Sequence, residues 1–132
     1  MSQDRIADML TNIKNSYLVR KKEVVIPWSP VNYAVAKVLL SESYIQKASK
    51  RKRKNGYGEE ILVGLRYSGG RTIWKNVRRI SKPGRRVYAV VGDLVNYNRR
   101  LGIAIISTPQ GVMTTKMAAK KNLGGELICR VW

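Results

Sequence analysis

The sequence contains no histidine and one cysteine, Cys129. Without histidine the commonest general base is missing, and a zinc site of the usual Cys/His type is excluded. One cysteine rules out any disulfide within the chain, and its place in an apolar run predicts an inert core thiol. Acids are also scarce: 8 Asp and Glu stand against 26 Lys and Arg, a net charge of +18. They are scattered, and only Glu59 and Glu60 are adjacent. Adjacent strand residues point to opposite faces, so these two make a poor acid pair for hydrolysis or metal binding. The glycine-rich phosphate loop and the dinucleotide fingerprint are both absent. No apolar run approaches the roughly 20 residues of a membrane span, and Met1-Ser2-Gln3-Asp4-Arg5 lacks the apolar core of a leader peptide. Catalytic, cofactor-dependent and membrane-spanning classes therefore have little to stand on.

An apolar fraction of 44% in 132 residues supports one domain or two very small ones. Compacting so much like charge is unfavourable, and a polyanionic partner relieves it. Nucleic acid is the leading candidate. An anionic membrane surface would call for a basic amphipathic helix, whereas the charge here falls mostly in predicted loops and strands.

Ile6, Met9, Leu10, Ile13 and Tyr17 recur at helical spacing, which predicts a first amphipathic helix. Asp4 and Asp8 lie towards its start and Arg20, Lys21 and Lys22 beyond its end, complementing the helix dipole. Residues 23–27 carry the β-branched Val24, Val25 and Ile26 and predict a strand. Ser29-Pro30 is a cap and first-turn signal for a second helix, with Val31, Ala34, Val35, Val38 and Leu39 as its apolar face. A strand can begin within 43–48, and residues 59–67 predict another, giving α-β-α-β-β for the first half. Ser68-Gly69-Gly70 is the candidate boundary between domains at 1–67 and 71–132. Beyond it, strands are predicted at 72–80, 86–91, 101–107, 111–114 and 126–131. A short helix or irregular connection is expected at 92–100 and one or two helical turns at 116–122. The fold class expected is α+β, with the second half mostly antiparallel β and short helices.

Several constellations carry chemistry. Residues 47–54 include Lys47, Lys50, Arg51, Lys52, Arg53 and Lys54. Such a run is either a solvated loop, since like charges disfavour packing, or a set of phosphate contacts. Asn55-Gly56-Tyr57-Gly58 reads as a turn. A second basic cluster, Arg78, Arg79, Lys82, Arg85 and Arg86, flanks the Pro83-Gly84 turn. Tyr88 follows it; strand aromatics mostly pack inward, although a tyrosine there can also stack on an unpaired base. Ser107-Thr108-Pro109-Gln110-Gly111 offers hydroxyls and an amide at the end of an apolar run. It reads either as an ordinary turn or as a set of neutral donors for the shallow groove of A-form RNA. Glu126 follows Gly124-Gly125, placed either to pair with a nearby cation or to accept a hydrogen bond from a base amino group.

Together these segments resemble the bacterial-type small-subunit ribosomal protein eight family. Residues 6–15, IADMLTNIKN, resemble its opening helix, and residues 79–88, RISKPGRRVY, its central signature. Residues 101–114, LGIAIISTPQGVMT, and 124–132, GGELICRVW, resemble its C-terminal signature. The likeness runs in order through nearly the whole chain and is weakest at 47–60.

The resemblance implies two small α/β domains and no enzymatic activity or cofactor. It implies a structural protein that binds the central domain of small-subunit rRNA early in assembly, beside neighbouring ribosomal proteins. The ribosome would be that of a bacterial cytoplasm or of an organelle matrix. The resemblance places RNA contact at Ser107, Thr108 and Gly111, flanked by Tyr88 and Gly124, Gly125 and Glu126. It adds backbone contacts from the first helix and the basic middle segment. The chain departs from the family pattern at Pro109, which stands in place of a usual serine, and at Arg85, Thr115, Met117 and Arg130. Most of these changes remove acids or add cations. A sequence-tolerant nucleic-acid-packaging protein is the rival reading; it shares the charge but has no need of a polar, nearly uncharged turn.

Overall fold

The computed structural model describes residues 4–132. Met1, Ser2 and Gln3, part of the segment expected to carry no leader, lie outside the described residues. The fold is α+β and gathers into two compact units, one of residues 5–75 and one of residues 76–132 together with Asp4.

In the first unit the helical and β-branched patterns convert directly into α1 (Arg5–Leu18), β1 (Glu23–Pro27), α2 (Pro30–Ser41), β2 (Lys47–Lys52) and β3 (Glu59–Gly64). The strands form an antiparallel sheet in the order β1-β3-β2. Met9, Leu10, Ile13 and Tyr17 of α1 are buried, as are Val35 and Leu39 of α2 and Ile26, Ile61 and Val63 of the sheet. Ser29 Oγ accepts from the Asn32 N–H at 3.0 Å, with Pro30 in the first turn, so the expected cap is present. Val31 of the expected apolar face is exposed, and Ala36 is buried instead. Two short strands, β4 (Tyr67–Ser68) and β5 (Arg71–Thr72), then pair as a hairpin. Ser68-Gly69-Gly70 forms its turn, with both glycines in the left-handed region.

Helices α1 and α2 end in the same way. Arg20 and Ser43 adopt positive φ, and the following Lys21 and Tyr44 N–H groups donate to Ser16 O and Leu39 O. This closure normally favours glycine.

The second unit holds β6 (Val77–Arg79), β7 (Tyr88–Ala89), a 3₁₀ turn (Val91–Asp93), α3 (Leu94–Asn98), β8 (Ile103–Thr108), β9 (Gly111–Thr114), α4 (Thr115–Lys120) and β10 (Gly125–Val131). The sheet runs β6-β10-β8-β9, and β7 pairs with β10 on the same edge as β6. Ala89, Leu94, Ile106, Met113, Ala118 and Leu127 form its core.

Three sequence expectations change here. Residues 72–80 are not one strand: β5 and β6 are separated by a segment that contains the buried Trp74. The strand expected at 86–91 shrinks to Tyr88–Ala89. The register of β10 shifts between Leu127 and Cys129; β6 pairs on one side of this irregularity and β7 on the other, so neither can be long. Finally, the basic run is mostly strand, not loop. Ala48 is buried on one face of β2, and β3 supplies two acids opposite the run.

Candidate nucleic-acid interface

Strand pairing brings three of the expected site residues into one row. Tyr88 on β7 lies opposite Glu126 on β10, and Glu126 lies opposite Ser107 on β8. Residues directly opposite in an antiparallel sheet project on the same face, and neighbouring strands are about 4.8 Å apart. The row therefore presents an aromatic ring, a carboxylate and a hydroxyl at regular spacing. Ala89, Leu127 and Ile106, each one position along, turn the other way into the core. A rigid apolar layer thus backs the row.

Tyr88 is 70% exposed, which overturns the inward-packing reading of its strand position. The physical reason is register. Ala89 takes the core position, and the step of one residue sends Tyr88 outward.

Gly124 and Gly125 make the row possible by letting three backbones approach. A Cβ on Gly125 would stand 2.0 Å from Ser107 O, and one on Gly124 would stand 2.5 Å from Ala89 O. Neither glycine is required by its φ; what each supplies is room.

The two hydroxyls of the Ser107–Gly111 segment have different roles. Thr108 is buried. Its Oγ1 donates to Gly111 O at 2.8 Å and accepts from the Gln110 N–H at 3.1 Å. It closes the hairpin turn in which Thr108 pairs with Gly111. Gly111 has φ +117 with open space around its Cβ position, so there the backbone conformation requires glycine. Ser107 sits half-buried on the open face.

Lys82, Arg85 and Arg86 border the row. Lys82 and Arg85 exchange backbone hydrogen bonds of 2.9 Å across Pro83-Gly84, which fixes a tight, exposed basic hairpin. Ser81, fully buried, ties its base: Ser81 Oγ accepts from the Val87 N–H at 2.8 Å. Arg86 Nη1 stands 3.1 Å from Glu126 Oε2. This is the ion pair that was one of the two readings of Glu126. It leaves one carboxylate edge of Glu126 neutralised and held in place.

The other basic cluster belongs to the first unit. On β2, Lys50 Nζ is 2.8 Å from Glu59 Oε2, and Arg51 Nε is 2.6 Å from Glu60 Oε2. Lys50 also lies 4.4 Å from the Trp28 ring centroid, within cation–π range. Glu59 and Glu60 serve opposite faces of β3, and each matches one cation. Lys52, Arg53 and Lys54 are exposed and have no ion pair among the described residues. The signal for this split was present in the sequence, as two acids placed to face a basic run across a hairpin.

Two further cations are structural. Arg79 pairs with Asp4 at 3.0 Å and donates to Ile128 O. Arg130 is 6% exposed and donates to Leu101 O and Tyr97 O, placing positive charge at the carbonyl end of α3. Cys129 is fully buried, and desolvation pushes its thiol up to about 12, as expected for an inert core group.

Among the described residues no group of three or more His, Cys, Asp or Glu is placed to hold a metal. No helix among them is long and apolar enough to cross a membrane.

The family model described as ribosomal protein S8 matches residues 4–132. The small ribosomal subunit protein uS8 of Cupriavidus metallidurans is 44% identical over 128 residues, covering 97% of this chain and 96% of that protein. The uS8 protein of Azoarcus sp. is 46% identical over 129 residues, with 97% and 96% covered. That of Cereibacter sphaeroides is 42% identical over 129 residues, with 98% of each covered.

Proposed function

Because this chain belongs to the ribosomal protein S8 family, whose role in the small ribosomal subunit is structural and not enzymatic, we propose that it binds the central domain of small-subunit rRNA and supports assembly of the subunit beside neighbouring ribosomal proteins. The two compact units act as separate domains, and the C-terminal one reads the RNA. The observation that carries this reading is the Tyr88–Glu126–Ser107 row on a rigid sheet.

The row suits RNA chemistry. The Ser107 hydroxyl can donate to or accept from a ribose 2′-hydroxyl or a base edge, groups that the wide shallow groove of A-form RNA displays. Glu126, steadied by Arg86, accepts from a base amino group, and Tyr88 stacks or donates its hydroxyl. Gly124 and Gly125 permit the close strand approach. Thr108 and Gly111 set the turn and present its backbone groups. Lys82 and Arg85 hold phosphates beside the row, and Arg86, already matched by Glu126, contributes less there. Lys52, Arg53 and Lys54 add salt-dependent attraction from the first unit. Lys50 and Arg51 contribute less, because each is already matched by an acid.

The test measures binding to a central-domain rRNA fragment and to a scrambled helix at one salt concentration. The intact protein should prefer the cognate fragment. Ser107→Ala and Glu126→Ala should each reduce that preference about tenfold, the scale of a lost hydrogen bond to a charged or desolvated group. Equal affinity of the intact protein for both RNAs would overturn the reading and favour a sequence-tolerant packaging protein.

A further inference from the structure

The chain has seven tyrosines, and only two, Tyr57 and Tyr88, are exposed. Tyr88 belongs to the row already described. Tyr57 stands at the tip of the β2–β3 hairpin and is 81% exposed. The turn beneath it is well defined. The Arg53 N–H donates to Gly58 O at 3.1 Å, the Gly56 N–H to Arg53 O at 3.0 Å, and the Tyr57 N–H to Asn55 Oδ1 at 3.0 Å. Gly56 and Gly58 both have positive φ, +82 and +76. With no side chains on either neighbour, nothing adjacent in sequence covers the ring, and the ring makes no aromatic or hydrogen-bond contact among the described residues.

A single exposed aromatic needs no explanation in itself. Its setting is what points to a ligand. Lys52, Arg53 and Lys54 lead into the turn and are the members of the run that Glu59 and Glu60 leave unmatched. A presented ring beside uncompensated cations is the combination that holds a single-stranded nucleic acid: the ring takes a base face, and the cations take the flanking phosphates. Base faces in a duplex are already stacked, so this arrangement favours an unpaired nucleotide.

We propose that the β2–β3 hairpin tip is a second RNA contact that takes an unpaired nucleotide, with Tyr57 stacked on the base and Arg53 and Lys54 on the adjoining phosphates. The proposal rests on the reading that the partner is RNA and adds a site separate from the Tyr88–Glu126–Ser107 row.

The experiment uses the full chain, an unstructured RNA of about 12 nucleotides carrying one 2-aminopurine, and a blunt RNA duplex of the same length. Tyr57→Ala should weaken single-strand binding roughly 5- to 150-fold, the range for losing one stacked base. It should reduce the quenching of 2-aminopurine to the level that Tyr88 alone supplies and leave duplex binding almost unchanged. Tyr57→Trp should restore both affinity and quenching. The ring is exposed, so neither variant should alter the melting temperature. Equal weakening of single strand and duplex overturns the proposal, as does single-strand binding that survives Tyr57→Ala intact. Loss of binding to an acidic peptide instead of RNA also overturns it and makes the tip a protein contact. Ser107→Ala separates the two readings. It should spoil discrimination of the central-domain fragment yet leave single-strand binding and quenching intact, so either site can fail without the other.

Discussion

The β2–β3 hairpin and the Tyr88–Glu126–Ser107 row invert the impression that composition gives. The hairpin strand carries the densest charge in the chain, yet two of its cations are matched by Glu59 and Glu60. The row carries one acid, paired with Arg86, and otherwise offers neutral groups. Its strength is position: three strands hold three different functional groups in register over a packed core. Charge brings a polyanion near and says little about which one. Fixed hydrogen-bonding groups distinguish one RNA from another. On the proposed function the two regions divide attraction from recognition, and substitutions should separate them.

The largest effect is expected where the row depends on absent side chains. Gly125→Ala would force a Cβ to 2.0 Å from Ser107 O and 3.2 Å from the Thr108 Cα. Backbone atoms cannot rotate away as a side chain can, so β8 must separate from β10. The expected cost is about 3 kcal/mol, the upper end for forced overpacking, with a melting temperature lower by roughly 10 °C. Urea denaturation and thermal melting check this. Discrimination between cognate and scrambled RNA should fall as well, since Ser107 and Glu126 would no longer be adjacent.

The next contrast lies within one turn. Thr108→Val removes the group that serves both Gly111 O and the Gln110 N–H, and should cost about 1–2 kcal/mol of stability. Ser107→Ala, one residue earlier, should change stability by less than about 0.5 kcal/mol while lowering RNA discrimination. Denaturant unfolding of the two variants side by side gives the answer. A Ser107→Ala loss as large as that of Thr108→Val would make Ser107 a structural residue and weaken the row as a reader.

That difference between adjacent hydroxyls was not legible in the sequence, and the reason is general to this chain. Local pattern revealed α1 through Ile6, Met9, Leu10, Ile13 and Tyr17, and α2 through Ser29-Pro30. It also revealed β8, β9 and β10, with α4 between the last two. What it missed depends on partners distant in sequence. Tyr88 faces outward because β10 sets its register. Residues 47–52 form a strand because Glu59 and Glu60 arrive opposite them across the hairpin, a signal that lies outside the run itself. Arg79 and Arg130 counted as free positive charge in the composition. Only the fold shows the carbonyls of Ile128, Tyr97 and Leu101 that receive them. Tyr88, Glu126 and Ser107 could be named as candidates because each falls in a short motif, but only the strand pairing sets them in one row. Tyr57 could not be named, since nothing local to Asn55-Gly56-Tyr57-Gly58 says that the ring stays uncovered.

The smallest expected effect tests the idea that sequence charge exceeds effective charge. Lys52→Ala removes an unmatched cation. It should weaken cognate and scrambled RNA a few-fold alike and reduce the slope of log affinity against log salt by about 0.9, the value for one phosphate contact. Removing Arg51 and Glu60 together deletes a matched pair that sits 2.6 Å apart and leaves the net charge unchanged. That double variant should leave affinity and salt slope as they were, since no counterion release depended on Arg51. If it flattens the slope as much as Lys52→Ala, then Arg51 leaves Glu60 for a phosphate on binding. The hairpin would then be as strongly charged in the complex as its composition suggests.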